Sequence, residues 1–523
     1  MIDNDRITES SAGRRLWPSR LNLSITAAFM LSIFLLAGCS EMISFPTVTA
    51  EATAADQVVE GGESSESIPP TSEPVTSPEN PIEEIEETTP ASTPEGGEET
   101  ATLGAGETPE AEQREEAEST TESNNDRLLA EIDAIRSEIE ANVAEVRGLT
   151  AEESVQVTLL DREQLRHRIE EDLLSEYTEE DARHDAIVMS AFDFFPSDFD
   201  LYGFTVDLFS EEIAGFYDPE TNEFVLINED DEFDTLEKLT HAHEYVHALQ
   251  DQHFDLEQLD DDTLDSEASM ALSALAEGDA TMVQTLYLIK GYLSPEELLE
   301  ALTESLQLET PILDEAPPVL VRELMFPYLE GVAFVEALYM NDGFDAVNRA
   351  WADPPKSTEH ILHPERYLDG DPPQIVALAP LTDTLGAGWQ QIDQDSVGEL
   401  YLREYLVQQL DSQTVDAAAT GWGGDQYAVF WNEGSGSLVL LLRLAWDTLA
   451  DQQEFDNAYR GYPSQLFDSK ARKQPDGTLC WEGDEVICLY SFAGETLISR
   501  APNLDLATKV MAEQVAFMLS EEA

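Results

Sequence analysis

His243, Glu244, Tyr245, Val246 and His247 form the pattern H-E-x-x-H within LEKLTHAHEYVHALQDQHFDL, residues 236–256. On a helix, side chains four apart share a face, so the two imidazoles can grip one metal ion. Glu244, rotated by about 100° from His243, can reach a water beside that ion. The chemistry this spacing points to is zinc-assisted hydrolysis with Glu244 as general base. The plainer alternative is a histidine-bearing surface helix, but the chain has only 8 histidines in 523 residues.

Zinc in a hydrolase takes three protein ligands and keeps one position open. Two residues compete for the third place. His253 stands ten positions after His243, the spacing of H-E-x-x-H-x-x-G-x-x-H, but that pattern needs a glycine at 250 to turn the chain, and Gln250 is there. A helix continuing through Gln250 carries His253 about 80° around the axis and several turns beyond His243. Glu277 lies thirty residues after His247 in Ala276-Glu277-Gly278-Asp279-Ala280. There a second amphipathic helix could present it, with small neighbours allowing close approach. Glu277 is the other candidate, which taken alone reads as a solvated helix glutamate, and His253 is expected to support or cap.

The elements that must position these groups follow from local pattern. Asp234 or Thr235 caps the metal helix, and the Glu277 helix runs from about 266 to 291. Before them, two short apolar runs (213–217 and 224–227) flank Asp218-Pro219-Glu220-Thr221-Asn222 and read as a hairpin. Helical blocks are expected at 126–146, 159–174 and 179–194, then at 295–307, 319–340 with a kink at Pro327, and 343–351. Beyond Pro380 the pattern becomes mixed. Strands at 427–431 and 438–442, a helix at 446–459, a hairpin over 486–492 and 496–499, and a closing helix at 504–519 give an α+β domain from 381 to 523.

The formal net charge is −83, from 109 acids against 26 bases. Residues 1–125 hold 25 acids and 5 bases, so most of the acidity belongs to the remainder. Such a surface repels polyanions, which argues against nucleic acid as a partner, and it is tolerated best in concentrated salt. Residues 41–125, rich in Glu, Thr, Ser and Pro, lack the apolar density to offset chain entropy and read as a disordered stalk.

Three cysteines remain. Arg14, Arg15 and Arg20 precede the apolar run 21–36, which ends in Leu36-Ala37-Gly38-Cys39. That order resembles a bacterial lipoprotein signal peptide spanning 1–39, and the resemblance implies that Cys39 carries the lipid. A plain signal anchor is the alternative. Both expect an extracytoplasmic chain held at the cell membrane. Cys480 and Cys488 either close a hairpin disulfide there or remain buried thiols.

H-E-x-x-H followed by Glu277 resembles the gluzincin arrangement of thermolysin-like and aminopeptidase-N-like peptidases, the latter with a similar Glu-Gly-x-Ala run. The stretches EEIAGFYDPETNEFVLI, HEYVHALQDQHFDL, ALAEGDA, PYLEGVAFVEALY, PPKSTEHILHPERY and GWGGDQYAV together resemble an uncharacterised group of bacterial gluzincin-like proteins over roughly 130–523. The resemblance implies an α+β fold: a helical lead-in (126–205), a mainly helical zincin-like domain with an edge-strand hairpin (206–380) and the C-terminal domain. It implies Zn2+ on His243, His247 and Glu277, with a peptide or protein substrate paired along the edge strand. Gluzincins place a second acid four residues after the ligand glutamate. Here that residue is Thr281, which leaves Asp279 and Asp255 as candidates to orient the imidazoles. A Tyr or His after the ligand helix would stabilise the reacting oxyanion. Tyr328, Tyr339, His360, His363 and Tyr367 are available, and His363 is the preferred catalytic partner. Two other functions stay open: a surface lipoprotein keeping a metal site without turnover, and a zinc amidase acting on a cell-wall amide.

Overall fold

The computed structural model describes residues 133–521, apart from 175–176, 228–232, 261–262 and 307–309. The segments expected to be a signal peptide and a stalk, and Cys39 with them, lie outside the described residues.

The chain is α+β. Its principal elements are α1 (133–147), β1 (Gln156–Leu160), α2 (Arg162–Arg168), α3 (Glu179–Ser190), α4 (Leu201–Glu212), β2 (Gly215–Asp218), β3 (Glu223–Ile227), α5 (Thr235–Phe254), α6 (Ser266–Lys290), α7 (Pro295–Ser305), α8 (Pro318–Ala352) and α9 (Thr358–Leu362). Then follow β4 (Gln390–Asp395), α10 (Gly398–Val407), β5 (Trp422–Asn432), β6 (Ser437–Trp446), α11 (Leu449–Tyr459), β7 (Arg472–Lys473), β8 (Leu479–Glu482), β9 (Val486–Phe492), β10 (Glu495–Ala501) and α12 (Leu504–Glu521). Among the described residues, no helix is long and apolar enough to cross a membrane.

Two sheets organise the strands. The smaller has the order β1-β3-β2, with β1 parallel and β2 antiparallel to β3. Residues 156–160 are therefore a strand and not the start of a helix. Leu159 and Leu160 pair with Leu226 and Ile227, and this pairing overrides the helical spacing of the following residues. The larger sheet is antiparallel, in the order β4-β5-β6-β10-β9-β8-β7.

Three large apolar cores hold these layers, with two small clusters beside them at Leu159–Phe224–Leu226 and Met325–Tyr328. One joins α1 and α5 to α8 through residues such as Val143, Leu239, Val246, Leu275, Val283 and Phe334. A second covers one face of the large sheet and takes in side chains of α2, α3 and α4. A third lies on the opposite face under α12, where Val439, Leu441, Leu497 and Met511 meet. With both faces covered, β6 reads SLVLLLRLAW, a continuous apolar run rather than an alternating one.

The helices that carry the candidate ligands are fixed by caps and one close crossing. Asp234 accepts from the Glu237 N–H, and Glu237 reaches back to the Asp234 N–H, a capping box that starts α5. Asp265 caps α6, and Gly291 ends it in the left-handed conformation. Gly278, directly after Glu277, meets Gly331 of α8: a Cβ on Gly278 would sit 2.2 Å from the Gly331 backbone, and one on Gly331 would sit 2.2 Å from the Ala274 carbonyl. Only two glycines allow the α6 and α8 backbones to touch here. The interruption in α8 falls at Asp342–Gly343, where the dihedrals leave the helical range, between the two helices expected at 319–340 and 343–351, and Pro327 lies within the first.

Candidate metal centre

α5 runs unbroken past Gln250 to Phe254 and ends at Asp255 with φ 65°. His243 and His247 thus stay one turn apart on the face turned to α6. His243 Nε2 lies 3.2 Å from His247 Nε2, and Glu277 Oε2 lies 3.0 Å from the first and 3.4 Å from the second. A tetrahedral ion with bonds of about 2.0–2.1 Å separates its ligand atoms by about 3.3–3.4 Å. The triangle therefore has the dimensions to hold a metal ion. Among the described residues these three are the group of His, Cys, Asp and Glu side chains able to do so.

Electrostatics agree with the geometry. Burial would raise the Glu277 carboxyl, but His247 and His243 hold it below the usual carboxylate range. Burial lowers His243. For His247 burial works the same way, yet the Glu277 carboxylate overcomes it and pushes the imidazole up to about 9. The pocket favours a positive charge, which a proton or a cation can supply.

Glu244 is 1 % exposed, and burial pushes its carboxyl up to about 8. Its Oε2 accepts from the Tyr217 N–H at 3.0 Å. In the β2–β3 ladder Ala214 presents its carbonyl to Ile227. By alternation Gly215 and Tyr217 turn their backbone groups away from β3, and the Tyr217 N–H on that side is the one taken by Glu244. The general-base candidate is therefore moored to the edge strand, a contact without any side-chain signature in the sequence. The Tyr217 hydroxyl reaches Asp251 of α5 at 2.8 Å and Asn222 at 3.2 Å, holding the hairpin on the helix.

The remaining candidates fall at several places. His253 Nε2 lies 2.9 Å from the Thr150 carbonyl and does not join the triangle. His363, the preferred oxyanion donor, has its Nε2 3.0 Å from Glu399, which also takes Arg403 at 2.6 Å. That ion-pair cluster engages the His363 imidazole. His360 bonds the Asp371 carbonyl, Tyr367 bonds the Asp353 carbonyl, and Tyr339 packs on Phe344. Of the group, Tyr328 of α8 is the one beside a ligand, with its ring 6.2 Å from that of His243. Its place follows from the Gly278–Gly331 crossing one turn away, which local periodicity does not reveal. Of the two aspartates considered for orienting the imidazoles, Asp255 only ends α5, while Asp279 accepts from Gln250 Nε2 at 3.2 Å.

Cys480 and Cys488 face each other on β8 and β9 and are joined as a disulfide, with Cα atoms 4.1 Å apart.

Residues 384–511 match the model of a domain of unknown function, DUF8575. The matched segment covers β4 to β10 and the start of α12, and so excludes the metal triangle. No curated protein and no solved structure matches the chain.

Proposed function

We propose that this chain is a zinc-dependent peptidase of the gluzincin type, with His243, His247 and Glu277 as ligands and Glu244 as general base. The observation that carries the reading is the 3.0–3.4 Å triangle of Nε2, Nε2 and Oε2 atoms with Glu244 next in sequence to one ligand. Zinc bound there supplies Lewis acidity and acidifies a water. The chain's own part is to take and return a proton at the Glu244 carboxylate. The outer edge of β2, where the Tyr217 N–H meets Glu244, is the place where an extended peptide would align by backbone hydrogen bonds, and Tyr328, beside His243, offers a hydroxyl for a developing oxyanion. The zincin-like character of residues 206–380 belongs to this same proposal.

We place the protein outside the cytoplasm, tethered through a lipid on Cys39. The Leu-Ala-Gly-Cys run and the Cys480–Cys488 disulfide, a bond favoured in oxidising compartments, support this placement. Peptide and protein substrates are the proposed partners, with nucleic acid disfavoured by charge.

Enclosure favours a second reading. His243, Glu244 and His247 are each 1 % exposed and Glu277 is 0 % exposed, as expected of a metal site kept for stability without turnover. Zinc stoichiometry together with cleavage of a peptide library by wild type and Glu244→Gln separates the two. Zinc binding with cleavage lost in Glu244→Gln supports the peptidase. Zinc binding with no cleavage by either supports the second reading. A chain that takes up no zinc refutes both.

A further inference from the structure

The two candidate histidine ligands are not held alike. Among the described residues, His243 Nδ1 finds no hydrogen-bond partner. His247 Nδ1 lies 2.8 Å from Gln250 Oε1. The orientation of that carboxamide is dictated by its other contacts. Gln250 Nε2 faces the Ala276 carbonyl at 3.0 Å and Asp279 Oδ2 at 3.2 Å, and both of these only accept. The nitrogen must point to them, so the oxygen must point to His247. An amide oxygen cannot donate. His247 therefore carries hydrogen on Nδ1, and in the neutral ring the lone pair sits on Nε2, the atom in the triangle.

Asp279 is itself pinned. Arg147 Nε lies 2.8 Å from Oδ1 and 3.0 Å from Oδ2, and Trp351 Nε1 donates to Oδ2 at 3.4 Å. Arg147 and Asp279 are both 0 % exposed, and the guanidinium lies 4.6 Å from the ring centroid of Phe344 and 5.8 Å from that of Phe254. Breaking a buried pair of this kind would leave an uncompensated charge, so the Asp279 carboxylate is held firmly where Gln250 needs it.

We propose that Gln250, Asp279 and Arg147 form a positioning relay that fixes the tautomer and ring orientation of His247, an inference that rests on the metal-binding reading above. Gln250 bonds His247 at Nδ1, the ring nitrogen outside the triangle, and Asp279 and Arg147 stand behind Gln250, so the relay acts through His247. The relay begins on α1, which makes residues 133–147 part of the centre. It also gives Gln250, placed where another zinc pattern has glycine, a purpose of its own. It lies three residues after His247, on the same helical face.

The test uses the full chain with 15N-labelled histidine, with and without zinc, and zinc affinity from chelator competition. Wild type is expected to show an exchange-protected Nδ1–H signal from His247 in both states, identified by its loss in His247→Asn. Gln250→Leu is expected to lose the protection and to bind zinc about 10–100-fold more weakly. Arg147→Lys keeps a cation but not the two-oxygen contact, and its effect is smaller, about threefold. Folded Gln250→Leu with an unchanged Nδ1–H signal and zinc affinity would overturn the relay. A wild type that binds no zinc but keeps the protected signal, lost in Gln250→Leu, would sink the metal reading while leaving the hydrogen-bond relay intact.

Discussion

The helices α5, α6 and α8 and the seven-stranded sheet both bury charged groups, and they do so differently. In the sheet region each buried charge is matched by donors or a counter-charge. Asp425 accepts from the Val397 and Gly398 N–H groups and from Trp422 Nε1, Arg500 pairs with Asp193 and Glu485, and Arg443 forks onto Glu495. In the helical region two imidazole nitrogens and a carboxylate oxygen converge within 3.4 Å. Turning such groups on one another inside a core is costly unless a cation sits between them. The helical region also holds a matched pair, Arg147–Asp279, so it is the converging acceptors that mark a site. The family match, confined to 384–511, falls in the sheet region.

The largest test of this contrast removes a converging group. Glu277→Ala is expected to lose bound zinc altogether, measured as metal per chain after dialysis, whereas Arg443→Gln in the sheet leaves zinc content at the wild-type level. Full zinc retention by Glu277→Ala would end the assignment. Glu244→Gln should keep zinc and lower peptide turnover by about 10²–10⁴-fold. Equal cleavage by both forms would remove Glu244 from the chemistry.

Packing provides the next test. Gly331→Ala forces its Cβ against the α6 backbone 2.2 Å away, and a backbone cannot rotate aside. Chemical denaturation is expected to report a loss of about 3 kcal/mol or more, with zinc affinity falling as α6 moves. On the sheet side, Cys480→Ala with Cys488→Ala removes a short cross-link. The expected loss is about 2–3 kcal/mol, with zinc affinity unchanged. Coupled loss of zinc in the disulfide variant would show that the two regions are not independent.

The smallest effect is in pH. Burial pushes Asp395 up to about 7, Asp425 to about 6 and Glu359 to about 8. Each binds its proton more tightly in the folded chain than in the unfolded one. Their stabilising contribution is therefore complete below about pH 4 and is lost as pH rises through about 6–8. With a net charge of −83 adding self-repulsion, the melting temperature of the zinc-free chain should fall between pH 5 and pH 8.5 and recover partly with added salt. A midpoint that climbs over that range, or ignores salt, contradicts this account.

By itself the sequence determined the local parts: the H-E-x-x-H face of α5, its cap at Asp234, the β2–β3 hairpin around its turn, the span of α6, and the strands β5, β6, β9 and β10. These depend on neighbours within a few residues, where periodicity and turn chemistry act. Gln250 also settled locally that α5 continues, which removed His253 from the triangle. The tertiary structure decided what distant segments do to one another. It made 156–160 a strand by pairing it with β3, and brought Tyr217's N–H to Glu244 across 27 residues. It set Arg147 on Asp279 across 132 residues, and it put the Tyr328 ring beside that of His243. The physical reason is one of range. Helix and turn signals are written in adjacent residues, whereas a buried ion pair, a glycine crossing or a backbone donor to a carboxylate exists only once the cores have closed.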